Sequence, residues 1–357
     1  MERDELNLGD PSVSSTNISS DKDSESAGMK DDKNSTDSGT RPSTSARPDV
    51  VLSGVKYIEL EGLRYPIFTQ ILSGPCPLLA IMNALVLQGR LHIELPPDQE
   101  MIENETLLQR LLAFTTNLSK SSNDQNDELS LLLNESVEIA STLSKGLNLN
   151  VYFSGVSKFE YTKEIGLLDL LDLRLYHGWI MNPNETELYE LCGKCSYNEL
   201  MVKMCEWDDK GTESQEYRTY ILATNFLNEY PTQLSEYGLE LLKDSIPENI
   251  ISLFFRNDHF STIIRRGHEL YSLVTDYGYQ NDQNVVWETV TLNGAGTFYN
   301  SRFESVHQAE TDQGPVSNRY GQFDFQAPKP IALCRQLPNR KMSTQLLANK
   351  RIRNKSL

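Results

Sequence analysis

The sequence predicts a mixed α/β (α+β) fold, with an N-terminal helical part and a C-terminal antiparallel β part. Three observations carry this. The run Leu78-Leu79-Ala80-Ile81-Met82-Asn83-Ala84-Leu85-Val86-Leu87 is nearly all apolar and holds no glycine or proline, as in a buried helix. Residues 103–119, 128–145, 165–175 and 185–204 read as further helices, the first two amphipathic. Residues 250–255, 260–264, 269–275 and 285–288 are β-branched or aromatic and are separated by turn residues, as in strands.

In chain order, residues 1–48 are rich in Ser, Thr, Asp, Asn and Lys and contain no aromatic residue. Such a stretch cannot bury enough surface to offset its ordering entropy, so it is expected to be a disordered polar tail. Residues 51–60 alternate like a strand, and 69–77 hold Gly74, Pro75 and Pro77, as a loop does. Pro77 suits the first position of the apolar helix. Residues 121–127 are a polar loop, 149–153 alternate like a strand, and Pro183 precedes the helix at 185–204. Arg266-Gly267-His268 is a hairpin turn between two of the late strands. After 308 the chain turns Gln-, Pro- and Gly-rich and ends with Arg335, Arg340, Lys341, Lys350, Arg351, Arg353 and Lys355. The expected organisation is therefore one catalytic domain over 49–308 between the tail at 1–48 and a basic tail at 309–357. No repeats are present.

Composition narrows the function. The 357 residues carry a net charge of −17, which argues against general nucleic-acid binding. No apolar run reaches the roughly eighteen residues of a membrane span. Met1-Glu2-Arg3-Asp4-Glu5 leads into polar sequence without the apolar stretch of a secretory signal. Lys355-Ser356-Leu357 is not the peroxisomal order, and no cysteine is placed for prenylation. Five cysteines, an odd number without a signal peptide, point to reduced thiols in the cytoplasm, with the nucleus as the alternative.

The chemistry concentrates on Cys76, set between Pro75 and Pro77 at the start of the apolar helix. The free N–H groups and the positive end of the helix dipole are expected to lower the thiol pKa, and the helix behind it to hold the sulfur still. Activation and fixed aim are what a nucleophile needs. Among five histidines, His259 stands at the mouth of a strand, between Phe254-Phe255 and Phe260. An early helical Cys and a late strand His follow the chain order of papain-like hydrolases. Gln70, six residues before Cys76, and the N–H of Cys76 could receive an oxyanion. Asn257, Asp258, Thr275 and Asp276 are all available to orient the base. Cys192, Cys195 and Cys205 lack a fourth ligand at suitable spacing, so no metal and no cofactor is expected.

At these residues the chain resembles the MINDY family of deubiquitinases. Thr69-Gln70 with Ser73-Gly74-Pro75-Cys76-Pro77-Leu78-Leu79-Ala80-Ile81-Met82-Asn83 is similar to the family's nucleophile motif, and Phe255-Arg256-Asn257-Asp258-His259-Phe260-Ser261-Thr262 to its histidine motif. Leu273-Val274-Thr275-Asp276, Phe153-Ser154-Gly155-Val156-Ser157, Leu175-Tyr176-His177-Gly178-Trp179, Ser196-Tyr197-Asn198-Glu199-Leu200 and Val285-Val286-Trp287-Glu288 extend the likeness in order. The small size and single catalytic domain resemble a fungal-type member.

The resemblance implies a papain-like cysteine protease fold and a thiol isopeptidase. Its substrate would be polyubiquitin, with lysine-48-linked chains preferred and ubiquitin as the partner of a monomer. It makes Cys76 the nucleophile, His259 the base and Gln70 the oxyanion donor. Trp179, Tyr197 and Phe255 would help to bind ubiquitin, core packing being the alternative for those three. Ile71-Leu72 departs from the family's polar loop, which motivates a second expectation: a ubiquitin-binding module with weak or no catalysis.

Overall fold

The structure, a computed structural model, describes residues 50–71, 76–121, 138–139, 142–143, 146–147, 149–208 and 210–306. The tails assigned to 1–48 and 309–357, loop residues 72–75 and 122–127, and most of the helix expected at 128–145 lie outside the described residues.

Two sheets flank one buried helix. Strand β1 (Leu52–Leu60) and β2 (Leu63–Thr69) form an antiparallel hairpin through Glu61 and Gly62, at φ 54° and 79°. Two left-handed residues in a two-residue loop match the twist of the strands they join. Strand β3 (Met101–Glu103) pairs with the opposite edge of β1. The sequence reading passed over β2, which contains Pro66. The register sets Pro66 opposite Tyr57, where a proline fits as a pair that exchanges no hydrogen bond.

Helix α1 (Cys76–Leu87) is buried from Pro77 to Leu87, and α2 (Asn104–Ser121) follows. Next come α3 (Lys163–Leu170), β4 (Leu175–Tyr176), α4 (Thr186–Cys192), α5 (Tyr197–Asp208), α6 (Gln215–Glu229) and α7 (Glu236–Ser245). The large sheet then forms from β5 (Ser252–Arg256), β6 (His259–Arg266), β7 (Glu269–Leu273), β8 (Trp287–Thr289) and β9 (Phe298–Tyr299). Its order is β4-β5-β6-β7-β8-β9, with β4 parallel to β5 and every other pair antiparallel. Helix α1 packs on β6 and β5 on one side and on β2 on the other. This is the mixed α/β architecture expected, consistent with a papain-like fold.

Several elements differ from the sequence reading. The helix expected at 165–175 ends at Leu170, and Leu175–Tyr176 joins the sheet. The helix expected at 185–204 is two helices. Ser196 starts the second with a capping box: its Oγ accepts from the Glu199 N–H, and a Glu199 carboxylate oxygen accepts from the Ser196 N–H, both at 3.2 Å. Residues 149–153 contribute only single bridges, Val151 to Phe159 and Tyr152 to Ser196. Helices α6 and α7 were not anticipated, although Ser214 and Ser235 cap them by accepting the N–H of Tyr217 and Gly238. The β6–β7 turn is Gly267-His268, with Gly267 at φ 59°.

Two buried basic side chains tie the parts together. The Lys56 ammonium donates to the carbonyls of Tyr279, Asp282 and Val285 at 2.9, 2.7 and 2.7 Å, which fastens the loop after β7 to the small sheet. Burial pushes its pKa down to about 8, with the Asp282 carboxylate pulling the other way. His177 packs edge-on against Phe159 with ring centres 5.0 Å apart. Burial pushes its pKa down to about 4, although the nearby Gly155 and Lys158 carbonyls pull it up. Neither ring nitrogen makes a hydrogen bond of good geometry.

His177 therefore folds as the neutral imidazole. The unfolded chain binds its proton first, so this stability is whole above the ordinary pKa of 6.5 and is lost as pH falls towards 4. The loss should total about 3 kcal/mol, from 1.36 kcal/mol per pKa unit. Urea unfolding at stepped pH should show His177→Phe losing less stability than wild type across that window. Equal losses in the two proteins would contradict the assignment.

Candidate active site

Cys76 is the first residue of α1 and is half-buried, the one residue of that helix not fully buried. The helix cannot shift, because a polar bond adds to its apolar packing: the Thr262 hydroxyl on β6 donates to the Ala80 carbonyl at 3.1 Å. His259 begins the same strand. The backbone N–H of Phe260, next to His259, faces the Cys76 sulfur as a hydrogen-bond donor. The structure thus brings the predicted nucleophile to the residue adjoining the predicted base.

A tight hairpin carries His259. Arg256 pairs with His259, and the two residues between them, Asn257 and Asp258, both stand at φ 57°. Asn and Asp are the non-glycine residues that best tolerate this conformation. The hairpin is anchored at its root by the buried Arg256 guanidinium, which donates to the carbonyls of Thr232, Thr291 and Leu292 at 2.8, 2.8 and 2.7 Å. The Asn257 N–H donates to the Gln233 side chain at 3.0 Å.

Gln70 follows β2 and is held at its backbone. Its N–H donates to the Thr275 carbonyl at 2.6 Å, and its carbonyl accepts the Tyr277 N–H at 3.2 Å. The Asp276 carboxylate caps the Gly278 N–H at 2.7 Å, so Thr275 and Asp276 serve the Gln70 segment. Two residues earlier, the fully buried Asn83 side chain of α1 accepts the Phe68 N–H at 2.7 Å and donates to the Phe68 carbonyl at 3.0 Å. Sequence reading placed Asn83 in the apolar run and in the motif around Cys76, without a role of its own.

The electrostatics correct one expectation. The helix start was expected to lower the Cys76 pKa, but burial pushes the thiol up. The N–H groups of Phe260 and Cys76 pull it down, and the Asp258 carboxylate pushes it further up. Desolvation of a thiolate outweighs the helix terminus here. Burial also holds the His259 imidazole below its ordinary value. Burial thus favours the uncharged form of both groups, the thiol of Cys76 and the imidazole of His259.

Trp179 and Phe255 are buried, at 3% and 5% exposure, and Tyr197 is half-buried. Trp179 stands 5.4 Å from Phe153 and 5.4 Å from Tyr197, ring centre to ring centre. Phe255 stands 5.1 Å from Phe260. Packing is thus the visible role of Trp179 and Phe255. Burial raises the Tyr197 pKa, and the Asp258 carboxylate raises it further. Asn150 holds the start of α5, donating to Ser196 Oγ and accepting the Asn198 N–H, each at 3.1 Å.

Cys76, Cys192 and Cys195 carry free thiols, and Lys203 donates to Cys195 Sγ at 3.0 Å. Among the described residues no cluster of three or more His, Cys, Asp or Glu could hold a metal. No helix among them is long and apolar enough to cross a membrane.

Residues 53–303 match the family model described as MINDY deubiquitinase. The chain is 38% identical over 259 residues to ubiquitin carboxyl-terminal hydrolase MINDY-1 of Danio rerio, covering 72% of this chain and 49% of that protein. It is 38% identical over 273 residues to MINDY-1 of Mus musculus, covering 75% and 57%. Against MINDY-2 of Homo sapiens it is 37% identical over 272 residues, covering 72% and 43%. The chain spans about half the length of these relatives.

A thiol raised by burial titrates late. Alkylation of Cys76 by iodoacetamide, followed on its peptide by mass spectrometry, should accelerate with pH through a midpoint above the ordinary 9.0. Asp258→Asn should move that midpoint down. A wild-type midpoint below 9.0 would reverse this account of the thiol.

Proposed function

Because the chain belongs to the MINDY deubiquitinase family, matched over residues 53–303, we propose that it is a thiol-dependent deubiquitinase that hydrolyses isopeptide bonds in polyubiquitin, with lysine-48-linked chains preferred. The observation that supports this reading is the backbone N–H of Phe260, the residue after His259, acting as a donor towards the Cys76 thiol.

The chemistry follows from the resting state. The neutral His259 imidazole takes the Cys76 proton, and the thiolate attacks the isopeptide carbonyl. The oxyanion is received by the Cys76 N–H and the Gln70 amide. The imidazolium then protonates the departing lysine amine, which leaves a thioester between Cys76 and the ubiquitin C-terminus. Water, deprotonated by His259, cleaves the thioester and restores the thiol. No step calls for a metal or a cofactor. Trp179, Tyr197 and Phe255 support the ubiquitin-facing surface, Tyr197 by contact and the two buried rings from behind. The enzyme acts as a monomer in the cytoplasm.

The raised Cys76 pKa favours a second reading, a ubiquitin-binding module of low activity. Linkage-defined ubiquitin chains separate the two. Wild-type protein should cleave lysine-48-linked chains fastest, and Cys76→Ala and His259→Ala should leave them intact while folding normally. Gln70→Ala should slow cleavage about a hundredfold to a thousandfold, as loss of one oxyanion donor does. Intact chains after wild-type treatment, with ubiquitin affinity unchanged by Cys76→Ala, would establish the binding module instead.

A further inference from the structure

We infer that Asn83 is a positioning residue that sets the aim of Gln70 at the oxyanion; the inference rests on the roles proposed for Cys76, His259 and Gln70. Asn83 lies on α1 seven residues after Cys76, two helical turns on, and so on the same face. Its side chain is fully buried in an otherwise apolar stretch. Both ends of its amide are spent on one residue, Phe68: the oxygen takes the N–H at 2.7 Å and the nitrogen reaches the carbonyl at 3.0 Å. That is how a neighbouring strand would pair, so α1 holds the end of β2 as a strand edge does. Two residues later the chain reaches Gln70.

The clamp closes a ring of polar contacts around the site. Gln70 is bonded through its backbone to Thr275 and Tyr277, just beyond β7. Strand β7 pairs with β6, which carries His259. Strand β6 returns to α1 through the Thr262 hydroxyl on the Ala80 carbonyl. Base, nucleophile and oxyanion donor are each carried by one member of this ring. Asn83 is the member that joins the nucleophile's helix to the donor's strand. Apolar packing would hold the strand against the helix, but it would not fix how far the strand slides along it. Two hydrogen bonds to one peptide unit do.

A double-mutant cycle tests this. Asn83→Leu keeps the branched outline of the side chain, in a somewhat larger volume, and removes both bonds. Single-turnover cleavage of lysine-48-linked diubiquitin should slow about ten- to a hundredfold, the scale of an ångström-size misplacement, with KM little changed. Iodoacetamide should still alkylate Cys76 at the wild-type rate, since the sulfur keeps its place. In a Gln70→Ala background the same substitution should cost little more, because the group it aims is already gone. Asn83→Ser, too short to span both bonds, repeats the cycle if the leucine variant folds poorly. An equal loss in both backgrounds, or no loss in the wild-type background, overturns the role of Asn83 alone. Wild-type protein that cleaves no chain removes the proposed function and this inference with it.

Discussion

A helix with no wet face dictates the arrangement of this molecule. From Pro77 to Leu87 every residue of α1 is buried. Each large apolar side chain in such a place contributes about 1.5–3 kcal/mol over exposure, so the chain must cover the helix on all sides. Strand β2 supplies one wall and strands β5 and β6 another. The covering is complete except at the N-terminal end, where Cys76 is half-buried. Packing thus chooses which residue of the helix is reachable and leaves it little freedom.

Dispersion and hydrophobic burial are non-directional, so they hold elements together without settling their register. Registration here falls to buried polar side chains that end on the main chain. Asn83 bonds to Phe68, Thr262 to Ala80, Lys56 to three carbonyls beyond β7, and Arg256 to three carbonyls around the root of the β5–β6 hairpin. Each would leave a costly orphan if its partner moved. These bonds stand one step behind Cys76, Gln70 and His259 and fix the elements that carry them.

Cys76 and His259 each carry a local signature in the chain, a cysteine between prolines at an apolar helix start and a histidine between Phe254-Phe255 and Phe260 at a strand mouth, and the structure places both at the starts of such elements. Helix α1 was legible from its unbroken apolar run. Strand β2 was not, since Pro66 reads as an interruption until its pairing with Tyr57 is known. The break between α4 and α5 was written in Ser196 and Glu199, but amphipathic periodicity on both sides concealed it. The acidity of Cys76 was misread in sign, because a helix start is visible in a sequence and the depth of the surrounding protein is not. Asn83 passed as one polar letter among apolar ones, since its partner is fifteen residues away in the chain.

The bond between Thr262 and Ala80 joins residues 182 positions apart. Contacts of such long range form late and cannot exist until both ends have been made. A growing chain emerging from the ribosome therefore carries Cys76 for a long interval before His259 is made. Cys76 and His259 can meet only once the β5–β6 hairpin has formed.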